Sequence, residues 1–274
     1  MSEYITHYCS DRVFLSFLEK KELWLTSLVQ SNDHAEGRWM KEHWLDQFRP
    51  KTDPERMARK GARHLMEMAM HDREVLGVCF SEESDLLSQW RGYAGDGSGF
   101  SITFEKDKLV RVVEDHADLD LTLCKIAYGL RDHEEVREVI KKLSAAFHED
   151  AKEYKEGGGI GRMNLHMGEK GEKHEIHADA VRALFTVKNP AFMEEREWRI
   201  FTVGHLRDFE DVNFRATGNA LSPYLTLKIP TDAVQWVTRG PTNTTPDRIL
   251  ERALRVNGFK NASVGGSKAT YRNK

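Results

Sequence analysis

Two glutamates, Glu195 and Glu197, lie close together in the run Glu-Glu-Arg-Glu-Trp-Arg at 194–199, at the start of a predicted strand. Side chains alternate between the two faces of a strand, so Glu195, Glu197 and Arg199 point to one face. If that face lines a cleft, the two carboxylates repel each other, and the repulsion raises the pKa of one of them. The pattern indicates a group that receives or shares a proton. The alternative is a charged strand end, with Glu and Arg pairing across the surface.

A histidine lies in the first predicted strand, in the run Thr6-His7-Tyr8. A neutral imidazole can hydrogen-bond a sugar hydroxyl without the cost of burying a charge. His7 is therefore a candidate for holding a ligand. The alternative is a histidine whose hydrogen bonds are satisfied in the core or at the sheet edge.

Aromatic residues lie beside a glycine in the segment Ser-Gln-Trp-Arg-Gly-Tyr-Ala at 88–94. Aromatic rings in such a segment can stack on a flat ligand ring, and a guanidinium such as that of Arg91 can bind a phosphate. In the alternative, Trp90 is a core residue and Tyr93 only caps the end of a helix.

The sequence motifs of several enzyme classes are absent. There is no GxSxG, HExxH or Walker phosphate loop, which disfavours serine hydrolases, zinc proteases and P-loop nucleotidases. The glycines at 95–99 precede a predicted strand, so they do not form a dinucleotide fingerprint. His174 and His177 have a spacing that suits two metal ligands, but further ligands are not evident, and we expect no metal site.

The composition is that of a well-solvated globular protein. The 274 residues include 41 Lys and Arg and 44 Asp and Glu, and the net charge of −3 excludes a general basic footprint for nucleic acid. No run approaches the roughly 18 apolar residues of a membrane span, and no signal peptide is evident at the N-terminus. The cysteines Cys9, Cys79 and Cys124 form no CxxC and predict reduced thiols. We therefore expect a cytoplasmic protein with no membrane partner.

Predicted strands are spread along the whole chain, and helices interrupt them irregularly. Because there is no βαβα rhythm, the pattern favours a single α+β domain over residues 1–274 with a split or mixed β-sheet. Helical insertions are predicted near 34–72 and 130–185. The glycine-rich stretch at 157–173 is predicted to be a mobile loop.

Several short motifs occur in a fixed order along the chain. They are His7-Tyr8, Leu23-Trp24-Leu25-Thr26, Asn32-Asp33, Cys79-Phe80-Ser81, Trp90-Arg91-Gly92-Tyr93-Ala94, Gly99-Phe100-Ser101-Ile102, Glu195-Arg196-Glu197-Trp198-Arg199, Arg239-Gly240-Pro241 and the terminal run from Ser267 to Tyr271-Arg272. With these motifs the chain resembles the bacterial domain-of-unknown-function family 2971 over nearly its whole length. Where the family has Asn-Asp-Pro-Phe-Glu, this chain has Asn32-Asp33-His34-Ala35-Glu36.

A strand histidine, a central aromatic residue and a late Glu-x-Glu also resemble the ADP-ribosyltransferase fold, a split β-sheet that clamps NAD. This resemblance implies that His7 holds a ribose and that Tyr93 stacks on nicotinamide. It implies that Glu197 is the catalytic acidic residue at the ribose 2′-hydroxyl and that Glu195 activates the nucleophile. The implied NAD-binding set is completed by three residues at the matching motif positions: Tyr8, Arg91 and Ser81.

The resulting hypothesis is an enzyme that consumes NAD as a substrate, either an ADP-ribosyltransferase or an NAD glycohydrolase. Its partners would be NAD and an unidentified macromolecular acceptor, and it would act as a bacterial toxin or phage-defence effector. A variant on the same fold removes phosphate from RNA, with Arg12 and Arg91 near the histidine.

Two other classes of function stay open. In a metal-dependent nucleic-acid effector, Mg²⁺ would be bound by Asp33, Glu195 and Glu197, and phosphates by Arg91 and Arg199. The third possibility is a non-catalytic interaction module.

Overall fold

The computed structural model describes residues 3–30, 73–129, 181–218 and 220–271, together with separate helical positions at 56, 63, 67, 70, 71 and 178. The α-helices are α1 (Asp11–Lys20), α2 (Leu87–Tyr93), α3 (Lys106–Asp115) and α4 (Asp247–Val256). The strands are β1 (Tyr4–Cys9), β2 (Glu22–Ser27), β3 (Glu74–Ser81), β4 (Phe100–Glu105), β5 (Thr122–Lys125), β6 (Ala127–Tyr128), β7 (Val187–Lys188), β8 (Glu197–Gly204), β9 (Asn213–Thr217), β10 (Ala220–Lys228), β11 (Val234–Arg239) and β12 (Ser263–Gly266).

In the described part of the chain, ten strands form one sheet. Its main path is β12-β11-β4-β1-β3-β2-β10-β9, while β8 pairs with β3 and β5 pairs with β8. The pairs are antiparallel except that of β11 with β12, and β6 and β7 form a separate parallel pair. The predicted mixed α+β architecture with a mixed sheet is therefore confirmed.

The centre of the sheet is β3, whose two edges are used differently. One edge pairs with β8 along its full length, from Glu74 opposite Gly204 to Ser81 opposite Glu197. The other edge pairs with β2 at 76–77 and with β1 at Ser81, and residues 78–80 separate the two contacts. The sheet is thus interrupted on this edge between β1 and β2.

Helix α1 connects these two strands across the interruption. Ser10 caps it by accepting a hydrogen bond from the Val13 amide at 3.4 Å, and Lys21 ends it in a left-handed conformation at φ 58°. Its buried residues Phe14, Phe17 and Leu18 pack into the main core, which lies on one face of the sheet. The helix therefore fixes where β2 begins relative to β1.

The two faces of the sheet carry different hydrophobic cores. The main core contains alternate residues of β3 and β8, namely Leu76, Val78, Phe80, Trp198 and Ile200. The intervening residues face a second, smaller core that includes Val75, Val181, Leu184, Phe185, Phe201 and Val203. Glu197, two residues before Arg199 and four before Phe201, belongs to the face of this second core.

The described residues outside the sheet include further helical positions. Helix α2 starts only at Leu87, after a loop over residues 82–86. The described positions at 56, 63, 67, 70, 71, 178 and 181–184 are helical. The rest of the insertions at 34–72 and 130–185, including the loop at 157–173, lies outside the described residues, and the single domain stays a prediction. No helix among the described residues is long and apolar enough to cross a membrane.

Candidate functional site

Four ionisable side chains are buried together at the start of β8. Lys188 is 5% exposed, Glu195 8%, Glu197 4% and Arg199 1%. Burying a charge is costly unless it is paired and hydrogen-bonded, so charged groups with this little exposure need partners. The cluster supplies them from within, because it brings two carboxylates and two cations into contact.

Arg199 binds Glu197 at two points. Its Nε donates to Glu197 Oε1 at 2.6 Å, and its Nη2 donates to Oε2 at 3.0 Å. Its Nη1 donates to the carbonyl of Phe185 at 3.0 Å. The guanidinium is therefore oriented by both the carboxylate and the backbone that leads into β7.

Lys188 connects the two glutamates. Its Nζ donates to Glu195 Oε2 at 2.7 Å and to Glu197 Oε2 at 3.0 Å. The same Nζ lies 4.9 Å from the centre of the Phe192 ring. One ammonium group thus joins carboxylates that come from different elements.

The local backbone explains why the glutamates converge. Asn189 accepts a hydrogen bond from the Ala191 amide and begins a 3-10 helix, Pro190–Glu195. Arg196 then adopts a left-handed conformation at φ 43°, and β8 begins at Glu197. Glu195 therefore ends a helical turn and is not a strand residue, contrary to the predicted strand alternation. Both carboxylates still reach the Nζ of Lys188, with the left-handed Arg196 between them.

The ionisation of Glu197 is set by its partners. Burial raises the pKa of Glu197, but Arg199, Lys188 and hydrogen bonds from Arg199 and Cys79 lower it to about 2. This direction is opposite to the one that repulsion between two carboxylates predicts. The reason is that the two buried cations outweigh the repulsion, so Glu197 is a carboxylate at neutral pH.

Tyr93, at the end of α2, lies within electrostatic reach of Glu195, Lys188 and Glu197. Its side chain is 44% exposed. Burial of its hydroxyl raises the pKa of Tyr93, and the nearby charge of Glu195 raises it further while Lys188 opposes the rise. The structure therefore brings Tyr93 together with the predicted catalytic glutamates, with part of its ring open to solvent.

Ser81 and Tyr8 organise the loop between β3 and α2. The Ser81 hydroxyl donates to the carbonyl of Glu195 at 2.6 Å and accepts from the amide of Glu83 at 3.0 Å. The Tyr8 hydroxyl donates to the carbonyl of Glu83 at 2.7 Å and accepts from the amide of Leu86 at 3.0 Å. These bonds explain why residues 82–86 form a loop and α2 begins only at Leu87. Both hydroxyls, predicted to bind NAD, hold the backbone next to the site.

His7 lies on the other face of the sheet. Thr6 is directly opposite Ser81, and Ser81 is directly opposite Glu197, so Thr6 shares the face of Glu197 and its neighbour His7 does not. The His7 ring lies edge-on to Phe80 with centroids 6.0 Å apart, and its Nδ1 is 2.9 Å from the carbonyl of Cys79. Burial lowers the pKa of His7, so the ring is neutral at neutral pH. The structure does not place His7 beside the glutamates.

Arg91 is also directed elsewhere. It is exposed on α2, and its guanidinium carbon lies 5.9 Å from the centre of the Tyr271 ring near the C-terminus. The neighbouring Trp90 is fully buried. Its Nε1 donates to Asp85 at 2.7 Å, and its ring packs edge-on against Tyr8. Within segment 88–94, Trp90 therefore belongs to the core and Tyr93 to the site.

Three residues at the site were missed from the sequence. They are Lys188, Tyr128, whose hydroxyl accepts a hydrogen bond from the Glu197 amide at 2.9 Å, and Cys79, which hydrogen-bonds Glu197. For Lys188 the signal was a lysine immediately before Asn-Pro in the mainly apolar run 183–193. Cys79 was noted only as part of the motif Cys79-Phe80-Ser81, and Tyr128 carried no signal. The approach of both residues to Glu197 depends on strand pairing between distant segments.

The metal-dependent alternative gains no support from the described residues. They contain no group of three or more His, Cys, Asp or Glu side chains that could hold a metal ion. Lys188 also occupies the position between Glu195 and Glu197, and Arg199 is bound to Glu197 instead of facing a phosphate. Asp33, His174 and His177 lie outside the described residues.

Comparison with known proteins gives a family of unknown activity. Residues 89–200 match the model of a family described as protein of unknown function, DUF2971. This segment contains Tyr93, Lys188, Glu195, Glu197 and Arg199, and the predicted resemblance is confirmed over it. The searches of curated proteins and of solved structures found no match.

Proposed function

We propose that the chain cleaves the bond between ribose and nicotinamide in NAD, as an ADP-ribosyltransferase or an NAD glycohydrolase. One observation carries the proposal: a buried pair of carboxylates, at least one of them ionised at neutral pH, lies next to the partly exposed ring of Tyr93. In a bacterium such an activity would serve a toxin or a phage-defence effector.

The chemistry of this bond calls for a fixed carboxylate. When the bond from C1′ to the nicotinamide nitrogen breaks, its electron pair leaves with neutral nicotinamide, and the ribose becomes a cation that resembles an oxocarbenium ion. A carboxylate held beside it stabilises charge that develops only in the transition state. Because its pKa is low, Glu197 suits this electrostatic role and a hydrogen bond from the 2′-hydroxyl, and it is not suited to donate a proton.

Glu195 is assigned to the second half of the reaction. The incoming nucleophile, which is water or a group on the acceptor, forms a bond to C1′ and loses a proton. A carboxylate within reach can accept that proton as a general base. Tyr93 is assigned to stacking on the nicotinamide ring, since an aromatic face partly open to solvent suits a flat ring.

The interrupted edge of β3 supports the same proposal at the level of the fold. A sheet whose strands diverge between β1 and β2 is compatible with the two-part sheet of an ADP-ribosyltransferase. His7 and Arg91 are not part of the proposed site, because they lie away from the glutamates.

The test is release of nicotinamide from NAD by the purified protein, followed by chromatography. Wild type is expected to release nicotinamide, and Glu197→Gln to reduce the rate by about 10²–10³. Chelation of metal ions is expected to leave the rate unchanged, whereas it would abolish a metal-dependent activity.

The rates of wild type and Glu197→Gln are compared only where circular dichroism shows both proteins to be folded, because breaking the buried charge cluster is costly. Glu83→Gln removes an exposed acid paired with Arg196 at 2.6 Å and is expected to leave the rate unchanged. Tyr93→Leu, at a partly exposed position, keeps the charged cluster and is expected to raise KM for NAD. A wild type that neither releases nicotinamide nor melts at a higher temperature with NAD would contradict the proposal. So would a rate that is unchanged in both site variants.

A further inference from the structure

We propose that Lys188 is a positioning residue, whose single ammonium group holds Glu195 and Glu197 together as one pair of carboxylates facing the substrate. The inference rests on the proposed function, because it assigns Lys188 a role in that same site. The inference goes beyond the proposed function because it names a residue that acts on the two glutamates and touches neither ribose nor nicotinamide.

The contacts of Lys188 differ from those of a simple counter-ion. Arg199 alone already gives Glu197 two charge-assisted hydrogen bonds, one to each oxygen. The further bond from Lys188 is therefore not needed to pair Glu197. What Lys188 adds is the connection to Glu195, at 2.7 Å from its Nζ.

The position of Lys188 is itself fixed. It lies on β7, whose pairing with β6 places Lys188 opposite Tyr128, and the Tyr128 hydroxyl accepts from the Glu197 amide. The Phe192 ring covers the ammonium group from the 3-10 helix that carries Glu195. The ammonium group is therefore positioned by the β6–β7 pair and by the 3-10 helix that carries Glu195.

Loss of this ammonium group has a definite electrostatic consequence. Glu197 is faced by charged or titratable groups from each neighbouring element: Arg199 on its own strand, Lys188 on β7, Glu195 on the 3-10 helix, Cys79 on β3, Tyr93 on α2 and Tyr128 on β6. Without Lys188, the ammonium group that lies between Glu195 and Glu197 is lost, and the repulsion between the two carboxylates is no longer compensated there. The pKa of the pair then rises, and the two side chains separate.

The experiment measures the carboxyl carbons of the glutamates by NMR during a pH titration. In Lys188→Met, the titration midpoint of Glu197 is expected to rise by about 1 to 3 units, as for loss of a close opposite charge. Lys188→Arg, which keeps the charge, is expected to stay near wild type. If NAD is cleaved, the acid limb of kcat/KM against pH is expected to move in the same direction and to recover in Lys188→Arg.

A matched control and a second variant keep the test decisive. Lys125→Met removes another Lys–Glu pair, the one with Glu82 at 2.7 Å, and is expected to leave Glu197 unchanged. If Lys188→Met does not fold, Lys188→Gln removes the charge and keeps a hydrogen-bond donor at this position. It is expected to raise the Glu197 midpoint in the same direction, since Arg199 is then the one remaining cation of the two that pair with Glu197.

A Glu197 midpoint that is unchanged in the folded Lys188 variants would overturn the inference. It would mean that Arg199 alone sets the state of Glu197. The inference and the proposed function fail separately. A shifted Glu197 midpoint without any nicotinamide release supports the positioning role of Lys188 and contradicts NAD cleavage. Nicotinamide release without a shifted midpoint supports NAD cleavage and contradicts the positioning role.

Discussion

Arg199 and Glu197 lie two residues apart on β8 and form an ion pair with two contacts, Nε to Oε1 at 2.6 Å and Nη2 to Oε2 at 3.0 Å. Residues at this spacing share a face of a strand, so the strand itself brings the two side chains together. Cys79 lies opposite Arg199 on the central strand β3, which places the pair in the interior of the sheet. A buried pair of this kind is costly to break, because the remaining partner keeps an uncompensated charge.

Glu197→Gln is expected to destabilise the protein strongly. It leaves the guanidinium of Arg199 and the ammonium of Lys188 with less negative charge in a buried place, and breaking such a pair costs about 3–5 kcal/mol. Urea denaturation measures the free energy of unfolding. The matched change Glu83→Gln, in an exposed pair, is expected to cost about 1 kcal/mol or less. Equal costs for the two variants would show that the buried cluster does not contribute as the geometry requires.

The stability of the protein is expected to fall in acid because of Glu197. The ordinary pKa of 4.5 falls to about 2 in the folded protein, so the contribution of Glu197 is fully present above pH 4.5. It is lost as the pH decreases from 4.5 towards 2, where the folded state must also take up the proton. The free energy of unfolding, measured in urea across this range, is expected to decrease less steeply in Glu197→Gln than in wild type. Parallel curves for the two proteins would exclude this origin.

Substitution of two nearby glycines by alanine is expected to have opposite effects. A Cβ at Gly99 would lie 2.2 Å from the carbonyl oxygen of Cys9 and 2.9 Å from that of Ala94, and both are backbone atoms. Gly99→Ala is therefore expected to destabilise by about 1–3 kcal/mol or more. Gly92, inside α2, has nothing within 4 Å of such a Cβ, and Gly92→Ala is expected to stabilise by about 0.5–1 kcal/mol. Thermal melting of the two variants checks both signs, and a neutral Gly99→Ala would contradict the close packing.

Asp85 is expected to hold the C-terminal segment against the loop that precedes α2. Its Oδ1 accepts from Trp90 Nε1 at 2.7 Å and from the Ser267 hydroxyl, and its Oδ2 accepts from the Lys268 amide at 2.7 Å. Asp85→Ala is expected to cost about 1–3 kcal/mol, because it leaves the buried indole N–H of Trp90 without this acceptor.

Hydrogen exchange of backbone amides checks the attachment. The amides of Lys268 and Ala269 are expected to exchange faster in Asp85→Ala. Tyr271→Phe, which removes only the bond from the Tyr271 hydroxyl to Asp96 at 2.8 Å, serves as the control and is expected to leave these two amides unchanged. Unchanged exchange in Asp85→Ala would show that other contacts hold the segment.

Much of the site's composition could be predicted from local pattern. The pair Glu195 and Glu197, the aromatic segment containing Tyr93 and the strand that begins at Glu197 are recognisable because these patterns act over a few residues. The strand alternation expected at Glu195 was wrong, since that residue ends a 3-10 helix. The family resemblance was carried by the same short motifs. The roles assigned to these residues stay predictions.

Tertiary structure decided what the pattern could not. The positions of Lys188, Tyr128 and Cys79 around Glu197 depend on strand pairing between segments far apart in the chain. The same register turned His7 to the opposite face of the sheet. The ionisation of Glu197 followed a burial cost and two opposite charges that only the folded protein brings together. Local sequence therefore determined which residues could do chemistry, and long-range pairing decided which of them meet and in what charge state, because Coulomb energy depends on distance and burial and not on spacing along the chain.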